Sequence, residues 1–201
     1  MKKKLEYFWT YYKSPFLIIL AVSVIAGHFI YAAATEKESA FTAYMFDAHA
    51  GSGQDTAAAE FAEFAGIDTS RASVTIDASF LLADSSAGNY TMTSLAKFYT
   101  EIGTEELDAC MMTEETFKTY AGTDAFLDLR SCLSEKQIER YRESFVYEKD
   151  VPVGIRGNEF DWIRQTGGYE ENPCIFGIVY NSGHVENAVK FLEYLDGGNK
   201  K

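Results

Sequence analysis

The chain has 201 residues, 47% of them apolar, and a formal net charge of −12. Residues 1–34 hold four lysines and one glutamate, so the rest of the chain carries about −15. That balance excludes nucleic acid as a partner, because phosphates are neutralised by Lys and Arg. It also argues against a domain lying flat on anionic lipid, and the length suits one domain with its own core.

Residues 16–34 (FLIILAVSVIAGHFIYAAA) contain no formally charged side chain. At helical rise they extend about 28 Å, close to the hydrocarbon thickness of a bilayer. Lys2, Lys3, Lys4 and Lys13 precede the run; Thr35, Glu36, Lys37 and Glu38 follow it. Positive charge stays on the cytoplasmic side. The sequence therefore predicts a cytoplasmic segment over 1–15, a single transmembrane helix over 16–34 and an extracytoplasmic α/β domain over 35–201. Tyr7, Phe8, Trp9, Tyr11 and Tyr12 suit the membrane–water interface. A cleaved secretory signal is the alternative, since Ala32-Ala33-Ala34 supplies small residues of the kind a signal peptidase accepts. Either way the domain is exported.

Beyond the span, strand and helix patterns alternate. Residues 40–48 (AFTAYMFDA) read as a strand, Gly51-Ser52-Gly53 as a turn, and Asp55 as the N-cap of a helix ending at Gly66. Ala58, Phe61, Ala62 and Ala65 form its buried stripe. Residues 74–80 alternate as a strand, and 83–90 (ADSSAGNY) form a turn-rich loop. Thr93 caps a helix with Leu95, Phe98 and Ile102 on one face, stopped by Gly103. Residues 107–112 (LDACMM) make a buried strand, after which Thr113 starts a helix with Glu114 and Glu115 in its first turn, where acids suit the dipole. Ser134 and Gln137 form a capping-box pattern for a helix over 135–143. Residues 151–155 and 174–180 are strands. Ser182 or Gly183 precedes a final helix with Val185, Ala188, Val189, Leu192 and Leu195 on one side. Strands separated by helices predict a three-layer fold with a mostly parallel sheet.

Candidate chemistry is sparse. Asp47 and His49 share one side of a strand end near Asp55, but no further ligand stands at metal spacing. Gly51-Ser52-Gly53 lacks the glycine pattern and lysine of a phosphate loop, and reads as a plain turn. No GxSxG is present and no Ser–His–acid spacing stands out. Asp108 and Asp128 read as solvated structural aspartates. Cys110, Cys132 and Cys174 are odd in number and widely spaced, which suits neither a disulfide framework nor zinc. They read as unpaired thiols, with one bridge as the alternative. The sequence points to no enzyme, metal or cofactor.

Three stretches, in this order, carry a resemblance: residues 107–112 leading through a helix to Asp124-Ala125-Phe126-Leu127-Asp128-Leu129, residues 151–155 (VPVGI), and residues 174–195 (CIFGIVYNSGHVENAVKFLEYL). Together they resemble the extracellular solute-binding proteins of bacterial ABC importers, with the type 2 periplasmic-binding-protein fold. Members of that family are about twice this length, with two lobes closing on a solute and a lipoprotein cysteine after the signal. Here a protein anchor replaces the lipid, and the residues between Val151 and Cys174 are too few for a second lobe. The resemblance implies a single lobe.

Two stretches are candidate contacts. Asn89 and Tyr90 follow a strand, where loops at carboxyl ends face ligands in open α/β sheets. Trp162, Arg164 and Tyr169 stand where the missing lobe would be inserted. They are residue types enriched in protein contacts, although their apolar neighbours can instead fold back and plug the sheet. The resemblance implies a membrane-anchored binding or interaction module acting with a membrane partner such as an ABC-transporter permease. Direct low-affinity capture of a small solute or peptide is the alternative.

Overall fold

The computed structural model describes residues 16–29, 37–48, 54–82, 89–169 and 173–198. The chain divides into two compact units, residues 1–37 and 38–201. In the first, residues 16–29 form helix α1, and every side chain in it is exposed. Ser23 returns its hydroxyl to Ile19 O at 2.8 Å, so its polar group is spent within the helix. The described part of α1 rises about 21 Å. Among the described residues no helix is long and apolar enough to cross a membrane. Residues 1–15 and 30–34, which complete the expected segment and span, lie outside the described residues.

The second unit runs β1 (Glu38–Met45), α2 (Gln54–Ala65), β2 (Ala72–Asp77), α3 (Asn89–Gly103), β3 (Ala109–Thr113), α4 (Glu114–Ala121), α5 (Glu135–Tyr141), β4 (Phe145–Glu148), β5 (Val151–Arg156), α6 (Asp161–Thr166), β6 (Cys174–Ile178) and α7 (Val185–Glu193). Helix α2 ends where Gly66 takes φ 73°, a left-handed conformation that glycine adopts without cost. Thr113 caps α4 and the Ser134–Gln137 capping box opens α5, both at the expected positions. Helix α3 begins at Asn89 rather than after Thr93, and α2 at Gln54, which puts Asp55 inside the helix. Strand β4 and helix α6 have no counterpart in the sequence-based pattern, being only four and six residues long.

The six strands lie in the order β2-β1-β3-β6-β5-β4. Strand β1 is parallel to β2 and β3; β6 is antiparallel to both β3 and β5, and β4 to β5. The α/β class holds, but the sheet is mixed, which corrects the expectation of a mostly parallel one. Parallel neighbours need a long crossover, whereas two residues suffice for a hairpin. Lys149 and Asp150, at φ 47° and 69°, supply such a hairpin between β4 and β5. Strand β6 then enters between β3 and β5 in the opposite sense.

Alternation along the central strands sends side chains to two cores. Phe41, Met45, Met111 and Phe176 join Phe61 of α2 and Phe191 of α7. Tyr44, Phe46, Met112 and Ile175 join Phe98 of α3 and Phe117 of α4 on the other side. This is the period-two signature of a sheet covered on both faces. Phe117 stacks on Phe126 with centroids 4.4 Å apart. It lies so close to the sheet that a Cβ at Gly154 would meet its Cζ at 2.6 Å, and one at Gly177 its Cε2 at 2.9 Å. Both positions need glycine for that approach.

Candidate functional site

The carboxyl ends of β1, β2, β3 and β5 meet the amino end of β6 along one edge, the side on which open α/β sheets bind ligands. Asp47, in the turn just after β1, takes a left-handed conformation (φ 58°), which aspartate tolerates better than most residues. Its Oδ1 accepts from Leu82 N at 2.7 Å, and its Oδ2 from Thr116 Oγ1 at 3.3 Å. Thr113 Oγ1 donates in turn to Thr116 Oγ1 at 2.9 Å. Both threonines are buried. The chain of hydroxyls thus ties the N-terminus of α4 to the ends of β1 and of the segment after β2. Beside it Glu114 meets Lys118 at 2.7 Å and Arg156 at 3.9 Å, and Lys118 holds its carboxyl below the usual range.

The connection from β5 to β6 folds over this edge. Tyr169 is 2% exposed, and its hydroxyl reaches Phe46 O at 2.7 Å and Met111 O at 3.2 Å. Burial raises its phenol well above the ordinary value. Trp162 is also buried, in the core shared with Phe61 and Phe191. Arg164 is exposed and pairs with Glu159 at 3.8 Å. Of the three contact residues expected here, two are therefore packed inside the domain and Arg164 alone faces solvent. Asn89 and Tyr90 open α3, and their side chains lie outside the described residues. So do His49, Gly51-Ser52-Gly53 and the side chain of Asp55. Among the described residues no group of three or more His, Cys, Asp or Glu side chains is placed to hold a metal ion.

The sequence reading missed a heavily bonded polar group at the opposite end of the sheet. Asp108, read as solvated, is 0% exposed. Its Oδ2 accepts from Thr42 N at 2.9 Å, and its Oδ1 from Ser182 Oγ at 2.6 Å and His184 N at 3.2 Å. His184 Nδ1 lies 3.2 Å and 3.3 Å from the two carboxyl oxygens. Serine, histidine and acid thus meet, but not as a hydrolytic triad, which needs the histidine to take the serine proton. Here the Ser182 hydroxyl donates to the acid and accepts from His184 N at 3.1 Å. The arrangement fixes the loop entering α7. The available signal was the pair Ser182 and His184 ahead of a strong amphipathic helix, but a partner so far away in sequence is invisible to spacing.

An open groove of about 440 Å³ runs between α5 and the turn after α7, lined by Phe64, Lys136, Gln137, Glu193 and Asp196 among others. Its polar groups bond across it: Arg140 to Asp196 at 2.5 Å, Tyr141 Oη to Asp196 at 2.7 Å, and Gln137 Nε2 to Glu193 at 2.9 Å. The three cysteines are unpaired. Burial pushes the Cys174 thiol up to about 12 and the Cys132 thiol to about 11, so neither is poised as a nucleophile. No family model matches this sequence, and no curated protein or solved structure matches the chain.

Proposed function

We propose that the protein is a membrane-anchored, extracytoplasmic interaction module rather than a catalyst. Its 38–201 domain contacts a membrane partner, for which an ABC-transporter permease is the candidate that the solute-binding resemblance implies. The observation that carries this reading is the burial of Tyr169 and Trp162. The segment that would lead into a second lobe instead fills the carboxyl edge of the sheet, so contact there is with a surface and not around an enclosed solute. Drug-sized ligands bind where most of their area is buried, and that favours interaction over solute capture. The three resembling stretches also form neighbouring strands β3, β6 and β5, as one lobe requires. The uniformly exposed apolar surface of α1 supports the anchor. On α3, just beyond Asn89 and Tyr90, Met92 and Tyr99 are 67% and 48% exposed, residue types suited to a contact surface.

The test is chemical crosslinking in intact cells, followed by purification of the full chain in mild detergent, with protease added to intact cells as a parallel assay. Loss of the domain to external protease and recovery of a permease-type membrane protein are the expected results. A domain untouched in intact cells but cleaved after permeabilisation reverses the topology and overturns the reading. Recovery of the chain without any membrane protein, together with a thermal shift on adding sugars, amino acids or peptides, replaces it with solute capture.

A further inference from the structure

We propose that the outer edge of β2 pairs antiparallel with the same edge of a second copy of this chain, about a two-fold axis at Val74, joining the two sheets. The proposal stands apart from the functional reading above. The sheet has two edges, β2 and β4, and they are built differently. Strand β4 has four residues, a register shift between Val146 and Tyr147, and a charged end at Glu148, Lys149 and Asp150. Short, irregular, charged edges resist pairing. Strand β2 has six residues, with neither proline nor lysine, and its irregularity with β1 falls between Ser39 and Phe41 on the inner strand. Among the described residues, no backbone hydrogen bond reaches 73–77 from outside the sheet, while the amides of Arg71 and Ala72 turn back to Asp68 O, so the free ladder is 73–77 and Arg71 contributes its side chain only.

The register follows from geometry and charge. In an antiparallel pair, residues directly opposite must either both aim their N–H and C=O groups across or both aim them away. A strand meeting its own copy is therefore confined to registers centred on a residue, not between two. Centring on Val74 sets Ala72 opposite Ile76, Ser73 opposite Thr75, and Arg71 opposite Asp77, each twice. Centring on Ser73 or Thr75 places Asp77 against Thr69 or Ser73 and leaves both charges unmatched. Val74 and Ile76 already face the core beneath α2, so Ser73, Thr75 and Asp77 lie on the opposite face, with Arg71 in the turn directly before the strand. The Arg71 side chain is 88% exposed, and its contact with Asp68, at 3.7 Å and 62% exposed, is a weak surface pair that a new partner can displace. Asp77 uses Oδ1 for Ser79 N at 2.8 Å, which leaves Oδ2 for a guanidinium. Opposite charges facing each other across strands favour this pairing over others.

The experiment measures the mass of the full chain in detergent micelles by light scattering over a dilution series, for wild type, Arg71→Glu, Asp77→Lys and the double variant. The wild type is expected to be a dimer. Each single change places like charges opposite each other at two positions and weakens the dimer by about tenfold or more, while the double variant restores it. A wild-type monomer at every concentration overturns the proposal. So does a dimer that ignores both single changes, because its interface then lies elsewhere. Hydrogen exchange on the wild type gives a reading that needs no variant: amides of 73–77 gain protection as concentration rises, and exchange independent of concentration overturns the pairing.

Discussion

Asp47 and Asp108 stand at opposite ends of the central strands, and the contrast between them separates what holds this domain together from what is available for contact. Asp108, just before β3, is fully buried and joins three segments: β1 through Thr42, the loop after β6 through Ser182, and the entry to α7 through His184. Asp47, just after β1, is partly buried and bonds the segment after β2 through Leu82 N and the start of α4 through Thr116 Oγ1. Buried polar groups with every partner in place fix structure. Groups with partly exposed bonds belong to regions that open locally at lower cost, the kind from which binding surfaces are drawn. The carboxyl edge is thus the softer end, and Tyr169 is the strut that stiffens it.

Asp108→Ala breaks the comparison most severely. It leaves the Thr42 amide and the Ser182 hydroxyl without an acceptor and the His184 amide with Ser182 Oγ alone, and we expect a loss of about 3–5 kcal/mol in urea unfolding. A loss under about 1 kcal/mol would show that water replaces the carboxyl and that this end is not sealed. Tyr169→Phe is next. It removes the hydroxyl from Phe46 O, while Met111 O keeps the Phe46 amide, and is expected to cost about 1–3 kcal/mol. At Asp47 two substitutions distinguish causes. Asp47→Ala loses the acceptors and strains the left-handed backbone, costing about 1–2 kcal/mol. Asp47→Asn keeps the conformation and one acceptor, and should fall within about 0.5 kcal/mol of wild type. Equal losses for the two would assign the role of Asp47 to charge rather than to shape.

The contrast also marks what the sequence could convey. Helix ends were legible where chemistry is local: Thr113 and Ser134 with Gln137 announce their caps within three positions, and Gly66 its left-handed stop. The buried stripe of α2 was legible for the same reason. Strand directions were not, because β1 to β3 alternate with helices as in a parallel sheet, and nothing in the pattern of β5 and β6 records that they run oppositely. The expected contact residues show the same limit. Trp162, Arg164 and Tyr169 have residue types suited to a surface, yet two of them are buried by contacts with Phe46, Met111 and the α2–α7 core, of which Phe46, Met111 and α2 lie more than fifty positions away in sequence. Asp108 is the converse case, a polar residue in a strand-like run whose partners arrive from Thr42 and Ser182.

The thiols report on the two ends of β3 with a smaller effect. Cys110 lies beside Asp108, and Cys174 pairs with Thr113 at the carboxyl edge. Burial alone raises Cys110, whereas Cys174, raised to about 12, is partly offset by the backbone amides of Gly157 and of Cys174 itself. A thiol whose folded pKa is raised keeps its proton after the unfolded chain has released its own near the ordinary value of 9.0. Stability from it is therefore complete below pH 9 and is lost as pH rises toward the folded value, near 12 for Cys174 and 11 for Cys132. Between pH 9 and 10 each fully buried thiol should remove about 1 kcal/mol, in addition to a smaller loss from each buried tyrosine, whose unfolded form begins to ionise over the same interval. Cys174→Ala should flatten the slope by that amount, whatever it does to stability at neutral pH. Labelling at pH 8 sharpens the comparison: Cys132 should react first, Cys174 next through opening of the carboxyl edge, and Cys110 last, at the rate of global unfolding. Reaction of Cys110 ahead of Cys174 would reverse the assignment of rigid and soft ends.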